Sequence, residues 1–75
     1  MGLKELIKQQ LDQYFNELDG EMPQDLYDLV IGQVEHALLL SVLEQTGQNQ
    51  SKAAEILGIS RGTLRTRMKL FGMLS

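Results

Sequence analysis

The segment from Leu26 to Thr46 sets the tightest limit on how this chain can fold. Leu26, Leu29, Val30, Val34, Ala37, Leu38 and Val42 recur at helical spacing and draw one apolar face. Leu39, Leu40 and Leu43 then carry that face nearly all the way round the second half of the segment. The result is a helix of about 31 Å at 1.5 Å per residue. A helix that is apolar on every side needs a neighbour on every side. The chain has 75 residues and no cysteine. A domain of that size buries only about 60% of its unfolded surface, and here no disulfide can staple it. His36 is the only histidine, so no metal cluster offers a substitute. Association with a second copy is the remaining way to cover the helix, and the segment therefore predicts an obligate homodimer.

Three shorter helices flank it, the first expected to cover one side of it and the two C-terminal ones another, with the second copy covering what remains. Leu3, Ile7, Leu11, Tyr14 and Leu18, widened by Leu6 and Phe15, predict a helix over 3–18 that stops at Asp19-Gly20. Asp25, after Pro23, is the expected N-cap of the long helix. Gly47 closes that helix. Asn49 caps a third over 50–57, with Ala53, Ala54 and Leu57 inward. Gly58 makes a turn, and Ser60 caps a fourth over 61–71, with Leu64, Met68 and Phe71 inward. The fold class is all-α, four helices per chain. Residues 1–46 form the expected dimerisation core and 47–75 a helix-turn-helix, together a single domain.

The charge is split along this division. Residues 1–45 hold two lysines against nine acids, a net of −7, while residues 46–75 hold five cations against Glu55 alone, a net of +4. Exposed charges beyond about 8–10 Å are screened at physiological salt. A polyanion therefore meets the local +4 and not the overall −3.

The last two helices have the form of a unit that reads double-stranded DNA. Small Ala53-Ala54 lets the helices cross closely, Gly58 turns the chain, and Ile59 anchors the turn. The N-terminal end of the second helix of such a pair enters the major groove; here it reads Ser60-Arg61-Gly62-Thr63. Gly62 lets the backbone approach the base edges. Arg61 and Arg65 can reach guanine or phosphate, Lys69 continues that face, and Arg67 flanks it. Asn49, Ser51 and Lys52 sit at a helix N-terminus, where free N–H groups and the helix dipole favour a phosphate. Asn49 and Ser60 are caps whatever else they do. His36 has no partner at metal-ligand spacing and reads as structural.

The runs LKELIKQQLDQYFNELDG at 3–20, DLYDLVIGQVEHALLLSVLEQTGQNQSKAAEILGI at 25–59 and SRGTLRTRMKLFGM at 60–73 resemble the Fis family of bacterial nucleoid-associated proteins. RGTLR and the terminal aromatic-Gly-Met are the most specific parts. The resemblance implies an intertwined four-helix homodimer with a helix-turn-helix at each end. Its recognition helices sit closer together than adjacent major grooves of straight DNA, so the duplex bends and A/T-centred, deformable sites are favoured. It implies DNA contacts at Asn49, Ser51, Lys52, Ser60, Arg61, Thr63, Arg65, Arg67 and Lys69, and it brings in RNA polymerase as a protein partner. Ser60 stands where family members often have Asn, and Thr66 and Leu70 where lysines are common. Nothing before Leu3 matches the hairpin with which family members contact DNA invertases, so invertase stimulation is not implied.

Two other readings use the same residues. The C-terminal domain of an NtrC-type enhancer-binding activator shares the run around Ala53-Ala54 and Gly58-Ile59-Ser60-Arg61, but the QQLDQYF of the first helix favours Fis. A helical protein-interaction module would be expected to lack Arg65 or Gly62. No nucleophile–base pair, metal cluster or phosphate loop points to an enzyme, so no catalytic residue, metal or cofactor is expected. The longest apolar run, Ala37–Leu43, is far shorter than a bilayer crossing, and Met1–Leu11 alternates charged and apolar residues unlike a signal peptide. The expected location is cytoplasmic, at the bacterial nucleoid, with no membrane partner.

Overall fold

The computed structural model describes residues 1–74 and contains four helices: α1 (Leu3–Glu17), α2 (Leu26–Gln45), α3 (Gln50–Leu57) and α4 (Arg61–Leu70). The first, second and fourth end one residue before the sequence-based limit, and Leu18, Thr46 and Phe71 become their C-caps. At α2 the Thr46 hydroxyl donates to the carbonyls of Val42 and Leu43 at 3.0 and 3.2 Å. Both carbonyls also accept a backbone N–H, from Thr46 and Gln48 at 3.1 and 2.8 Å, so the hydroxyl reinforces an end that the backbone already closes.

The core lies at one end of the molecule, where α3 and α4 close over the second half of α2. Leu39 and Leu43 of α2, Ala53 and Ala54 of α3, and Leu64 and Met68 of α4 form the buried cluster. Val42, Leu57, Ile59, Phe71, Met73 and Leu74 pack around it. The α3–α4 turn is sealed in the same way: Gly58 adopts φ 75°, the Ile59 N–H bonds back to the Ala54 carbonyl at 3.1 Å, and Ile59 lands on the core. That combination of a left-handed glycine, a long backward bond and a following apolar contact is a Schellman ending. Gly72 and Met73 repeat it at the end of α4, with the Met73 N–H on the Met68 carbonyl at 2.9 Å. His36 lies face to face with Phe71, ring centroids 4.9 Å apart, and so serves the packing of α2 against the end of α4.

Two expectations need correction. Asp25 precedes α2 but its side chain makes no capping bond. Its backbone is left-handed, φ 57°, whereas a capping side chain works from an extended backbone that aims it at the next turn. Helix α1 does not cover α2 within one chain either. None of its residues is buried, and between Leu6, Ile7, Leu11 and Tyr14 on one side and Leu29, Val30 and Val34 on the other lies an open apolar groove of about 370 Å³. Leu3, Leu6, Leu29, Leu38 and Leu40 remain substantially exposed.

By length and composition alone α2 could cross a bilayer, a property that the short run Ala37–Leu43 did not show. Its tertiary partners give it another place: Leu39 and Leu43 lie in the core, and Glu35 is paired with Arg67 of α4.

Leu64 is fully buried at the meeting of all three core helices. Leu64→Ala is expected to lower unfolding stability by about 2–5 kcal/mol, whereas Ile56→Ala, at a 65% exposed position of α3, should change it by less than about 0.5 kcal/mol. Urea denaturation followed by circular dichroism at fixed protein concentration checks both.

Candidate nucleic-acid interface

Helix α4 has an inner and an outer side. At 100° per residue, Leu64, Met68 and Phe71 define the inner side, which is packed on the core. The opposite side carries Gly62, Thr66 and Lys69, flanked by Arg61 and Arg65 on one edge and Thr63 and Leu70 on the other; all of these are exposed. The helix is therefore a rigid rod fixed from behind, with three cations on or beside its outer surface.

Local hydrogen bonds fix how the N-terminus of α4 is presented. The Ser60 hydroxyl oxygen accepts the Thr63 N–H at 3.0 Å, and its proton goes to the Thr63 hydroxyl at 2.9 Å. Both side chains are thus held in the cap while staying at the surface. The Thr66 hydroxyl donates to the Gly62 carbonyl at 3.1 Å, which leaves Thr66 no free proton and no charge to offer. At Gly62 a Cβ would meet nothing nearer than the Ser60 hydroxyl, 4.0 Å away. The fold itself does not demand glycine there, although glycine in a helix costs about 0.5–1 kcal/mol relative to alanine.

Helix α3 brings its own N-terminus to the same side. The Asn49 side-chain oxygen accepts the Lys52 N–H at 3.0 Å, and Ser51 and Lys52 are exposed in the first turn. A bond between the helices connects the two ends: Arg65 Nη1 donates to the Gln50 side-chain oxygen at 2.8 Å. Gln50, first residue of α3, thus steadies the guanidinium one turn along α4. The sequence pattern did not single out Gln50, because an amide at a helix start is unremarkable until the fold sets Arg65 beside it.

Arg67 lies elsewhere. Two residues of helix turn it about 160° away from Arg65, and its Nε and Nη2 donate to the two carboxylate oxygens of Glu35, each at 2.5 Å. This fork-to-fork pair ties α4 to the middle of α2. The hydrogen bonds from Arg67, reinforced by its charge and opposed by desolvation, hold the Glu35 carboxyl below its ordinary value. They raise the Arg67 guanidinium in turn. Glu35 was legible in one respect only: it is the sole acid between Asp28 and Glu44, within an otherwise apolar stretch, where a charge calls for a partner.

The arrangement defines a helix-turn-helix protein whose second helix is backed by the core and faces outward with its cations. Residues 30–71, more than half of the chain, match the family described as bacterial regulatory protein, Fis family. The chain is 51% identical over 71 residues to the DNA-binding protein Fis of Actinobacillus succinogenes. It is 46% identical over the same length to the proteins of that name from Glaesserella parasuis and Haemophilus influenzae. Each of these matches takes in 95% of this chain and 72% of the relative. The chain belongs to the Fis family.

The Glu35–Arg67 pair gives a pH signature. A carboxyl held low when folded contributes stability that is fully present above its unfolded value and is lost as pH falls through its folded value. Thermal melting is therefore expected to decline more steeply below about pH 4.5, the ordinary value of the group, in the wild-type chain than in Glu35→Gln. Parallel acid titrations of melting temperature for the two chains check this.

Proposed function

We propose that the chain is a DNA-binding and DNA-bending regulator of the Fis type, acting as a homodimer that presents two copies of the α3–α4 unit to one duplex. The observation that carries this reading is the outward cationic surface of α4 in a chain of the Fis family. Names of relatives such as the Haemophilus influenzae protein support DNA as the ligand. The proposed contacts are Asn49, Ser51 and Lys52 from α3 and Ser60, Arg61, Gly62, Thr63, Arg65 and Lys69 from α4. Helix N-termini and cations fix the register on phosphates, while base edges carry the sequence information. Arg67 joins this set only where it exchanges Glu35 for a phosphate.

Dimerisation is proposed through residues 1–46, with 47–75 as the DNA-binding unit. The two parts share the core through Leu39 and Leu43. The open groove between α1 and α2 and the exposed leucines along α2 support this, because a small chain with this much uncovered apolar surface needs a partner. Paired units set closer than one turn of straight DNA would require curvature, hence a preference for deformable, A/T-centred sites. RNA polymerase is a proposed second partner, resting on the regulatory character of the family. The bacterial nucleoid is the proposed location.

Sedimentation equilibrium at micromolar concentration is expected to give twice the 8.5 kDa chain mass. A folded monomer would contradict the two-headed arrangement.

Binding to a duplex should be strongly salt-dependent. A dimer neutralising roughly 6–10 phosphates loses about 10³–10⁵ in affinity between 50 and 200 mM salt. The lower end is expected, because Thr66 and Leu70 supply no charge. Gel-shift titrations at several salt concentrations test the function itself, and a flat dependence would overturn it. In the same assay Arg65→Ala is expected to weaken binding to every duplex with little change in melting temperature.

Gly62→Ala separates fold from function. Alanine fits the open space and should raise stability by about 0.5 kcal/mol, yet it places a methyl group between the helix and the base edges. Higher melting temperature with weaker binding is the expected outcome, read by calorimetry and gel shift on one preparation.

A further inference from the structure

Arg67 is a cation of the recognition helix that the fold has engaged. Its guanidinium makes two bonds to one carboxylate. That carboxylate stands on α2, not on the recognition unit. Both side chains are only partly exposed, 41% for Arg67 and 23% for Glu35. They border a shallow cleft lined by Leu38, Leu39, Leu57 and Ile59, so the pair has apolar walls on its protein side. A bidentate arginine–carboxylate pair is specific in geometry as well as in charge. Among the described residues Arg61, Arg65 and Lys69 make no such pair: the hydrogen bond from Arg65 goes to a neutral amide.

We propose that Glu35 is a positioning residue for DNA recognition: by holding Arg67 on α2 it keeps that cation off the phosphate backbone and fixes the seat of α4 on the dimer core. This rests on the DNA-binding reading above. Sequence-independent binding is set by how many phosphates the protein neutralises. A flexible arginine beside the recognition helix would find a phosphate in any register and on any sequence, and would thus raise background binding. Pairing it to Glu35 turns a mobile charge into a strut between α2 and α4. Glu35 thereby sets the phosphate count of the interface without touching DNA.

The test is a double-mutant cycle on the full chain. Wild type, Glu35→Gln, Arg67→Gln and the double variant are titrated against one random-sequence duplex from 50 to 200 mM salt. Circular dichroism is recorded on each. Freeing two arginines per dimer should steepen the logarithmic salt slope of Glu35→Gln by about 1.8, at roughly 0.9 per phosphate. Its advantage over wild type should then grow about 10-fold as salt falls across that range. Arg67→Gln and the double variant should keep the wild-type slope. Steepening that persists in the double variant would show that loss of two carboxylates, not release of Arg67, is responsible, and would overturn the proposal. So would a shallower slope in Arg67→Gln, which means that Arg67 already leaves Glu35 for a phosphate in the complex. That last comparison stands even where Glu35→Gln fails to fold. A wild-type slope near zero would instead remove the DNA-binding reading, whereas a steep wild-type slope unchanged in Glu35→Gln removes only the role of Glu35.

Discussion

Everything on the outer surface of α4 depends on the close contact behind it, where Ala53 and Ala54 of α3 meet Leu64 and Met68 of α4 over Leu39 and Leu43 of α2. Two alanines in succession let α3 lie close to its neighbours. A larger residue at either place would push the helices apart, since close-packed interiors absorb little extra volume. The orientation of α4 is thus set by packing and does not rely on the surface bonds that decorate it. Ile59 and Met73, each placed on the core by the glycine before it, pin the two ends of that helix.

From this frame two kinds of polar bond reach outward. One kind is local: the caps at Asn49 and Ser60 stabilise the helix starts and also hold polar side chains where a duplex would approach. The other kind runs between helices. Gln50 steadies Arg65 across the α3–α4 pair, and Glu35 holds Arg67 across α2 and α4. The first leaves its arginine charged and accessible. The second keeps its arginine protonated but compensates its charge with a carboxylate. Two arginines only two positions apart on one helix therefore have opposite fates, because the helical turn sends one to solvent and the other towards α2.

Stability and function divide along the chain. The helix-turn-helix end is packed on the second half of α2 in one core, while α1 and the first half of α2 leave an apolar groove and exposed leucines. The acidic charge of that first half would repel a polyanion, which favours the α3–α4 end proposed for DNA. Gly62 shows the same division at one residue: the fold has room for a side chain there, and the proposed close approach of a duplex is what would call for glycine.

Periodicity and punctuation in the sequence determined the number of helices, their limits to within a residue, the two working caps at Asn49 and Ser60, and the inward set Ala53, Ala54, Leu64 and Met68. These are local properties: a 3.6-residue repeat, a glycine that turns left-handed and a side chain that reaches three residues on are all written within one turn of helix. The charge division that points to the α3–α4 end was legible for the same reason. What the tertiary structure decided involves residues far apart in the chain. Asp25 fails as a cap because the incoming linker gives it a left-handed backbone. Helix α1 leaves its stripe only half-buried, because the apolar faces of α1 and α2 meet across an open groove and do not close on each other within one chain. Arg67, alike in sequence to Arg61 and Arg65, is drawn to Glu35, 32 residues away. Helical spacing tells which way a side chain leaves its helix, but only the crossing of two helices determines what it meets.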